Sequence, residues 1–299
     1  MLATLLFAAA LISSYQERLY PEWKQTFSID EMIYEEKTEF WDLTIFENSR
    51  FGRVLALDGV IQLTEKDEWI YHEMMAHVPL LTHPDPKSVL IIGGGDGGLL
   101  REVLRHEALD KVILVEIDRS MIELSKKYLP SISKGAFEHP KATIVIQDAA
   151  KYVKGTDQKF DVILCDSNDP EGPAKGLFTS EFYGDCKKIL KPGGIFVNQN
   201  GVPFMQKSEL KLTVENRKPH FRHTTFFVAP VPSYAGGLMA FGWANDKKYR
   251  PSEKTLRQRL AKIQGTMRYY TPAVHRAAFA LPGYILDDET QSFPFPLQQ

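Results

Sequence analysis

The chain has 299 residues, 43% of them hydrophobic and 25% charged, with a formal net charge of −2. That length supports a substantial buried core in one large domain or two smaller ones, and the charge balance offers no basic excess for a nucleic-acid surface. Two cysteines, Cys165 and Cys186, give neither a disulfide framework nor a metal quartet, and they fit a reducing compartment.

In chain order, residues 1–14 open with MLATLLFAAALI, apolar and uncharged. The run is shorter than the roughly 20 residues a bilayer span needs, and it lacks the basic start of a secretory signal. It reads as a dispensable extension or docked helix, with an early start codon and an export or membrane signal as lesser alternatives. Residues 15–66 read as a small N-terminal β domain. Alternating runs such as DLTIFEN and GRVLALDG, split by polar and glycine turns, predict an antiparallel sheet over 29–63. EWIYHEMMAHVPLL spaces its apolar residues for a helix over 68–81, which HPDP then ends.

From residue 87 the pattern changes. SVLIIG is a continuous apolar run, as expected of a buried parallel strand. The helix LLREVLRHE follows, then strand KVILVEID, helix SMIELSKKYL, strands ATIVIQD and DVILCD, helix SEFYGDCKKIL and strand GIFVNQ. This alternation predicts βαβ units in a doubly wound α/β sheet. TTFFVAPVPSY and GLMAFGWAN add two late strands, PSEKTLRQRLAKI a polar helix. The domain is expected over 67–285, with a mobile tail over 286–299.

Chemistry gathers at the predicted carboxyl ends of the strands. Gly93, Gly95 and Gly98 fit G-x-G-x-x-G between a strand and a helix, a turn that usually meets a phosphate. Here Asp96 stands in its middle, where it would repel a pyrophosphate; the turn suits a cationic ligand. Glu116 ends the next strand, placed to accept ribose hydroxyls. Asp148 ends the third and could accept from an adenine amino group. Past the fourth strand, Asp166 and Asp169 lie three apart in a loop stiffened by Pro170, Gly172 and Pro173. Acids held close stay ionised only beside a cation. A polycationic ligand fits this set; Mg²⁺ is the rival, but no polyphosphate motif accompanies it. In HEMMAH the histidines His72 and His77 are five apart rather than four, which puts them off a common helical face and predicts no zinc site. Cys165, beside Asp166, reads as a small buried residue.

Several blocks in one order carry a resemblance: DGVIQLTEKDEWIYHEMMAHVPLL, VLIIGGGDGGLLREV, VEID, DSNDPEGPAKGLFTSEFY, PGGIFVNQNG and VPSYAGG. Together they resemble the spermidine synthases of the polyamine aminopropyltransferase family, from about Tyr15 to about Tyr284. The resemblance implies a Rossmann-like, methyltransferase-type sheet behind a small β domain. It also implies transfer of an aminopropyl group from decarboxylated S-adenosylmethionine to putrescine, giving spermidine and 5′-methylthioadenosine. Both substrates are cationic, which accounts for Asp96. By the same resemblance Asp166 is the general base. His72, Tyr71, Asp96, Ser167, Asn168, Asp169, Tyr234 and Gln199 bind the amine; Gly93, Gly95, Glu116, Asp148, Ala149 and Pro173 hold the nucleoside donor. No metal and no cofactor are implied, since the donor is a co-substrate. A cytoplasmic homodimer or homotetramer is the implied form, with small-molecule partners, no nucleic acid and no stable membrane association.

Two positions depart from the family pattern. Trp41 stands where members often carry a Gln that touches the nucleoside, and Ala149 replaces a Gly after Asp148. The competing readings are the same transfer to another diamine such as cadaverine, an S-adenosylmethionine-dependent methyltransferase, and a non-catalytic polyamine-binding protein. The methyltransferase must house a donor carboxylate that Asp96 opposes.

Overall fold

Alternating strand-like runs occupy residues 29–63, and strands alternating with helices follow from residue 88. The computed structural model describes residues 13–286, so the predicted extension at 1–12 and the tail beyond 286 lie outside the described residues. The chain divides between Lys66 and Asp67 into two compact units.

The N-terminal unit pairs β1 (Ser14–Gln16) with β2 (Thr26–Ser28), then runs an antiparallel meander of β3 (Glu31–Lys37), β4 (Asp42–Asn48), β5 (Gly52–Leu57) and β6 (Val60–Thr64). The ribbon β1–β2 was not expected from sequence; its strands are three residues each, too short for alternation to register. Phe27, Phe46, Val54, Ala56 and Ile61 form the core of this unit. Trp41 lies in the turn between β3 and β4, its backbone N–H donating to the Thr38 hydroxyl.

The second unit opens with α1 (Glu68–Thr82), whose residues other than Trp69 are buried. Then follow β7 (Ser88–Gly93), α2 (Gly98–Leu104), β8 (Lys111–Glu116), α3 (Arg119–Tyr128), α4 (Pro130–Ser133), β9 (Ala142–Ile146), α5 (Ala149–Gly155) and β10 (Phe160–Asp166). A 3₁₀ turn over Gly172–Phe178 leads to α6 (Ser180–Ile189), β11 (Leu190–Gln199), α7 (Lys207–Arg217), β12 (His223–Pro230), β13 (Leu238–Asn245), α8 (Glu253–Leu260) and α9 (Pro272–Ala277). Neither α5 nor α7 was expected from the sequence.

The seven strands lie in the order β12-β13-β11-β10-β7-β8-β9. β11, β10, β7, β8 and β9 are mutually parallel; β13 runs antiparallel to both β11 and β12. The five parallel strands, with helices on both faces, form the doubly wound sheet predicted. Its two faces carry separate apolar clusters, one around Met74, Leu99, Leu114 and Trp243, the other around Ile92, Phe160, Tyr183 and Phe196. The chain leaves β7 toward β8 and β9, then returns to the other side of β7 as β10. That reversal opens a crevice at the carboxyl ends of β7 and β10, where such sheets take their ligands. Asp166 and Gly93 are register partners there.

Candidate active site

The site is assembled on two backbone approaches. Gly93 has φ +77°, and a Cβ on it would run into the Asp166 carbonyl oxygen, so only glycine lets β7 and β10 close at the crevice. The Gly94 N–H donates to that same carbonyl at 3.0 Å. Gly98 starts α2, where a Cβ would overlap the His72 ring. Its absence lets α1 press against the glycine turn and brings the α1 side chains Tyr71 and His72 to the strand ends.

Asp96 is pinned by its own turn: Oδ1 accepts from the Gly98 N–H at 2.7 Å and lies 3.4 Å from His72 Nε2. His72 Nδ1 meets Glu68 Oε2 at 2.6 Å, and Arg101 holds Glu68 with contacts of 2.9 and 3.1 Å. Burial alone would lower the His72 pKa, but Asp96, Glu68 and Asp166 outweigh it and hold it at about 9. The ring therefore remains cationic at neutral pH. One ligand atom from each of His72, Asp96 and Asp166 lies within 4.8 Å of the others, a spacing a metal could use. Both His72 nitrogens, however, already face carboxylates, and one of those contacts would have to be given up for the ring to ligate a metal. An organic ammonium, which brings its own donors, fits the two carboxylates better.

Asp166 ends β10. The Tyr71 hydroxyl donates to its Oδ1 at 2.6 Å, while Oδ2 is closed to solvent and has no hydrogen-bond partner. Burial and Asp96 raise its pKa, the His72 cation and the Tyr71 bond lower it, and the balance falls at about 6. Asp166 is thus ionised at neutral pH yet more basic than an ordinary carboxylate. Burial, joined by Asp166, pushes the Tyr71 phenol far above its usual value. Tyr234 stands beside it, ring centroids 6.3 Å apart.

Asp169, in the following loop, accepts from Gln199 Nε2 at 3.3 Å on Oδ1 and from Gln206 Nε2 at 2.9 Å on Oδ2. Burial raises its pKa against both bonds. Gln206 was missed from sequence, because a polar residue just ahead of an unrecognised helix gives no signal. Gln199 is fixed in turn, its Oε1 accepting from the Gly201 N–H at 2.9 Å.

The donor side is less concentrated. Glu116 ends β8 beside the Gly95 backbone; burial raises its carboxyl to about 7, against backbone bonds from Asp118 and Ile117. Asp148 caps α5, accepting from the Ala150 and Lys151 N–H groups at 2.8 and 3.3 Å, so its Oδ1 is already engaged. Ala149 is buried in the first turn of α5 and Pro173 is exposed in the 3₁₀ turn. The Ser167 hydroxyl donates to the Asn168 carbonyl at 3.0 Å. Asp148, Ala149, Ser167, Asn168 and Pro173 make no described hydrogen bond to the acidic cluster. His77 faces away from it, between His106 Nε2 at 2.9 Å and Glu102 Oε2 at 3.0 Å.

Comparison with known proteins agrees in both units. Residues 68–254 match the spermine/spermidine synthase domain, and residues 12–65 match the spermidine synthase tetramerisation domain. A curated polyamine aminopropyltransferase of Klebsiella pneumoniae is 50% identical over 275 residues, covering 91% of this chain and 96% of that protein. Polyamine aminopropyltransferase 1 of Pseudomonas aeruginosa is 48% identical over 277 residues, covering 92% and 97%. A crystal structure of spermidine synthase in complex with the transition-state analogue AdoDATO superposes with a TM-score of 0.86 at 38% identity, over 92% of this chain and 94% of that one. The Thermotoga maritima spermidine synthase gives 0.85, also at 38%.

Proposed function

The chain belongs to the spermine/spermidine synthase family, and from that premise we propose how its own residues carry the reaction. It is a polyamine aminopropyltransferase, moving the aminopropyl group of decarboxylated S-adenosylmethionine to a diamine. The amine nitrogen attacks the carbon beside the sulfonium sulfur. The C–S bond breaks, its electron pair goes to sulfur, and a neutral thioether, 5′-methylthioadenosine, leaves. No acid, metal or cofactor is needed for that departure; the demand is a neutral amine nucleophile. An alkylamine titrates near 10.4, so most of it is protonated at pH 7. Asp166 takes the proton as nitrogen attacks. Its unpartnered Oδ2 supports this role more than any other observation: it offers a desolvated acceptor facing no competing donor. Asp96 holds the donor's amine and disfavours a donor carboxylate. Asp169, supported by Gln199, holds the far nitrogen of the acceptor, and Tyr71 and Tyr234 wall the site. Glu116 binds the donor ribose, and the free oxygen of Asp148 its adenine. Alignment and desolvation supply most of the rate.

Putrescine is the acceptor we propose first. The test offers purified protein decarboxylated S-adenosylmethionine with putrescine, cadaverine or spermidine and follows methylthioadenosine. Asp166→Asn is expected to lower kcat about 10²–10⁴-fold, the usual worth of a positioned base, with the circular dichroism spectrum unchanged. A mutant that turns over at the wild-type rate removes Asp166 from this role.

We further propose a cytoplasmic homotetramer whose chains meet through the N-terminal sheet, supported by the match of residues 12–65. The two cysteines are free and buried, and no helix among the described residues is long and apolar enough to cross a membrane. Light scattering giving the mass of a single chain would remove the assembly.

A further inference from the structure

Beyond Asp169 the acidic run continues into α7. One nitrogen, Gln206 Nε2, reaches both Asp169 Oδ2 at 2.9 Å and Glu209 Oε2 at 3.3 Å, so the two N–H bonds of one amide are spent on the two acids. Glu209 lies in the first turn of α7 and is 9% exposed. Its Oε1 is sealed from solvent with no hydrogen-bond partner. A buried carboxylate oxygen lacking a donor is costly to keep. Among the described residues, the groups that shift Asp169 and Glu209 include no cation; burial, then Asp169 and Glu171, push Glu209 up to about 8. On Asp169 both oxygens already accept amide hydrogens. The Glu209 carboxyl therefore stays mostly protonated at neutral pH, and a cation arriving beside it would let it release that proton and pair as a carboxylate.

We propose that Glu209, with Gln206, forms an outer ammonium subsite beyond Asp169, which receives the remote cationic nitrogen of amines longer than putrescine. This rests on the aminopropyltransferase reading of the site. The acids then form a graded series: Asp166 at the attacking nitrogen, Asp169 at the far nitrogen of a four-carbon diamine, Glu209 at the next. An ammonium brings three N–H donors, enough to satisfy Glu209 Oε1 and replace the shared amide. How long an amine the enzyme holds is set by whether that outer carboxylate is present.

The experiment uses the full-length enzyme with putrescine as acceptor and spermidine as the competing amine, and measures the Ki of spermidine, the KM of putrescine and the KM of the donor. Glu209→Gln keeps size and shape and removes the carboxyl that would ionise beside the bound ammonium. The ratio of spermidine Ki to putrescine KM is expected to rise about tenfold, the loss of one charge-assisted hydrogen bond. A merely structural role would move the donor KM with the others and leave that ratio unchanged, which overturns the proposal. Should Glu209→Gln not fold, Glu209→Asp keeps the carboxyl one methylene farther back; a smaller rise of the ratio supports the subsite and no rise overturns it. Wild-type enzyme that transfers to none of putrescine, cadaverine and spermidine defeats the aminopropyltransferase reading and the subsite with it. Turnover with an unchanged ratio defeats the subsite alone.

Discussion

Asp166 is held between opposing influences, and each belongs to a named neighbour. Burial and Asp96 raise its pKa, His72 and Tyr71 lower it, and it settles at about 6. A base works only when ionised, so kcat/KM is expected to fall as pH drops through about 6. Tyr71→Phe removes the bond of 2.6 Å that stabilises the carboxylate. The midpoint should then move upward by about one unit, the worth of one charge-assisted hydrogen bond. A pH profile of kcat/KM for the two enzymes checks it; a midpoint that stays or moves down detaches the titration from Asp166. The residues this depends on were unequally legible. Asp96, Asp166 and Asp169 stood out because clustered acids without basic neighbours are unusual in sequence. Glu68, which helps keep His72 cationic, and Arg101, which holds Glu68, did not: ordinary charged residues on helices, they pair only once α1 and α2 are packed.

At the scale of elements, the contact between α1 and α2 does the positioning. Gly98→Ala puts a methyl group into the His72 ring. Overpacking of this kind costs about 1–3 kcal/mol, and here the adaptable partner is a site residue. A lowered Tm together with a larger loss of turnover than the stability change explains is expected from thermal melts and kinetics side by side. Wild-type turnover would show that the His72–Asp96 contact is dispensable. Strands β7, β8 and β10 were readable because each is a buried apolar run flanked by turn residues. Helix α5 buries only Ala149 and Val153, too few positions to establish a period. Helix α7 buries Glu209, Leu210, Thr213, Val214 and Arg217. Charged residues on its inward face break the apolar periodicity that reveals a helix, so the features that hid α7 are the ones that extend the acidic site.

For the molecule as a whole, strand order matters more than any single strand. The reversal between β7 and β10 gathers acids from separate stretches of chain at one edge: Asp96, Glu116, Asp166 and Asp169. Alternating strands and helices made that class of sheet legible, but not the pairing of β13 antiparallel to β11, which only packing decides. Nor could sequence spacing show that Asp169 leads on to Glu209. The same edge has a consequence for departure as well as arrival. A diamine enters with two positive charges, and the product leaves with one more. A field that draws in the acceptor must therefore retain the product more strongly, which makes release a candidate for the slow step of each cycle. Such retention weakens as ionic strength rises, so inhibition by added spermidine should ease in salt more steeply than putrescine binding does. Parallel salt dependences of the two constants would show that contacts other than charge hold the product.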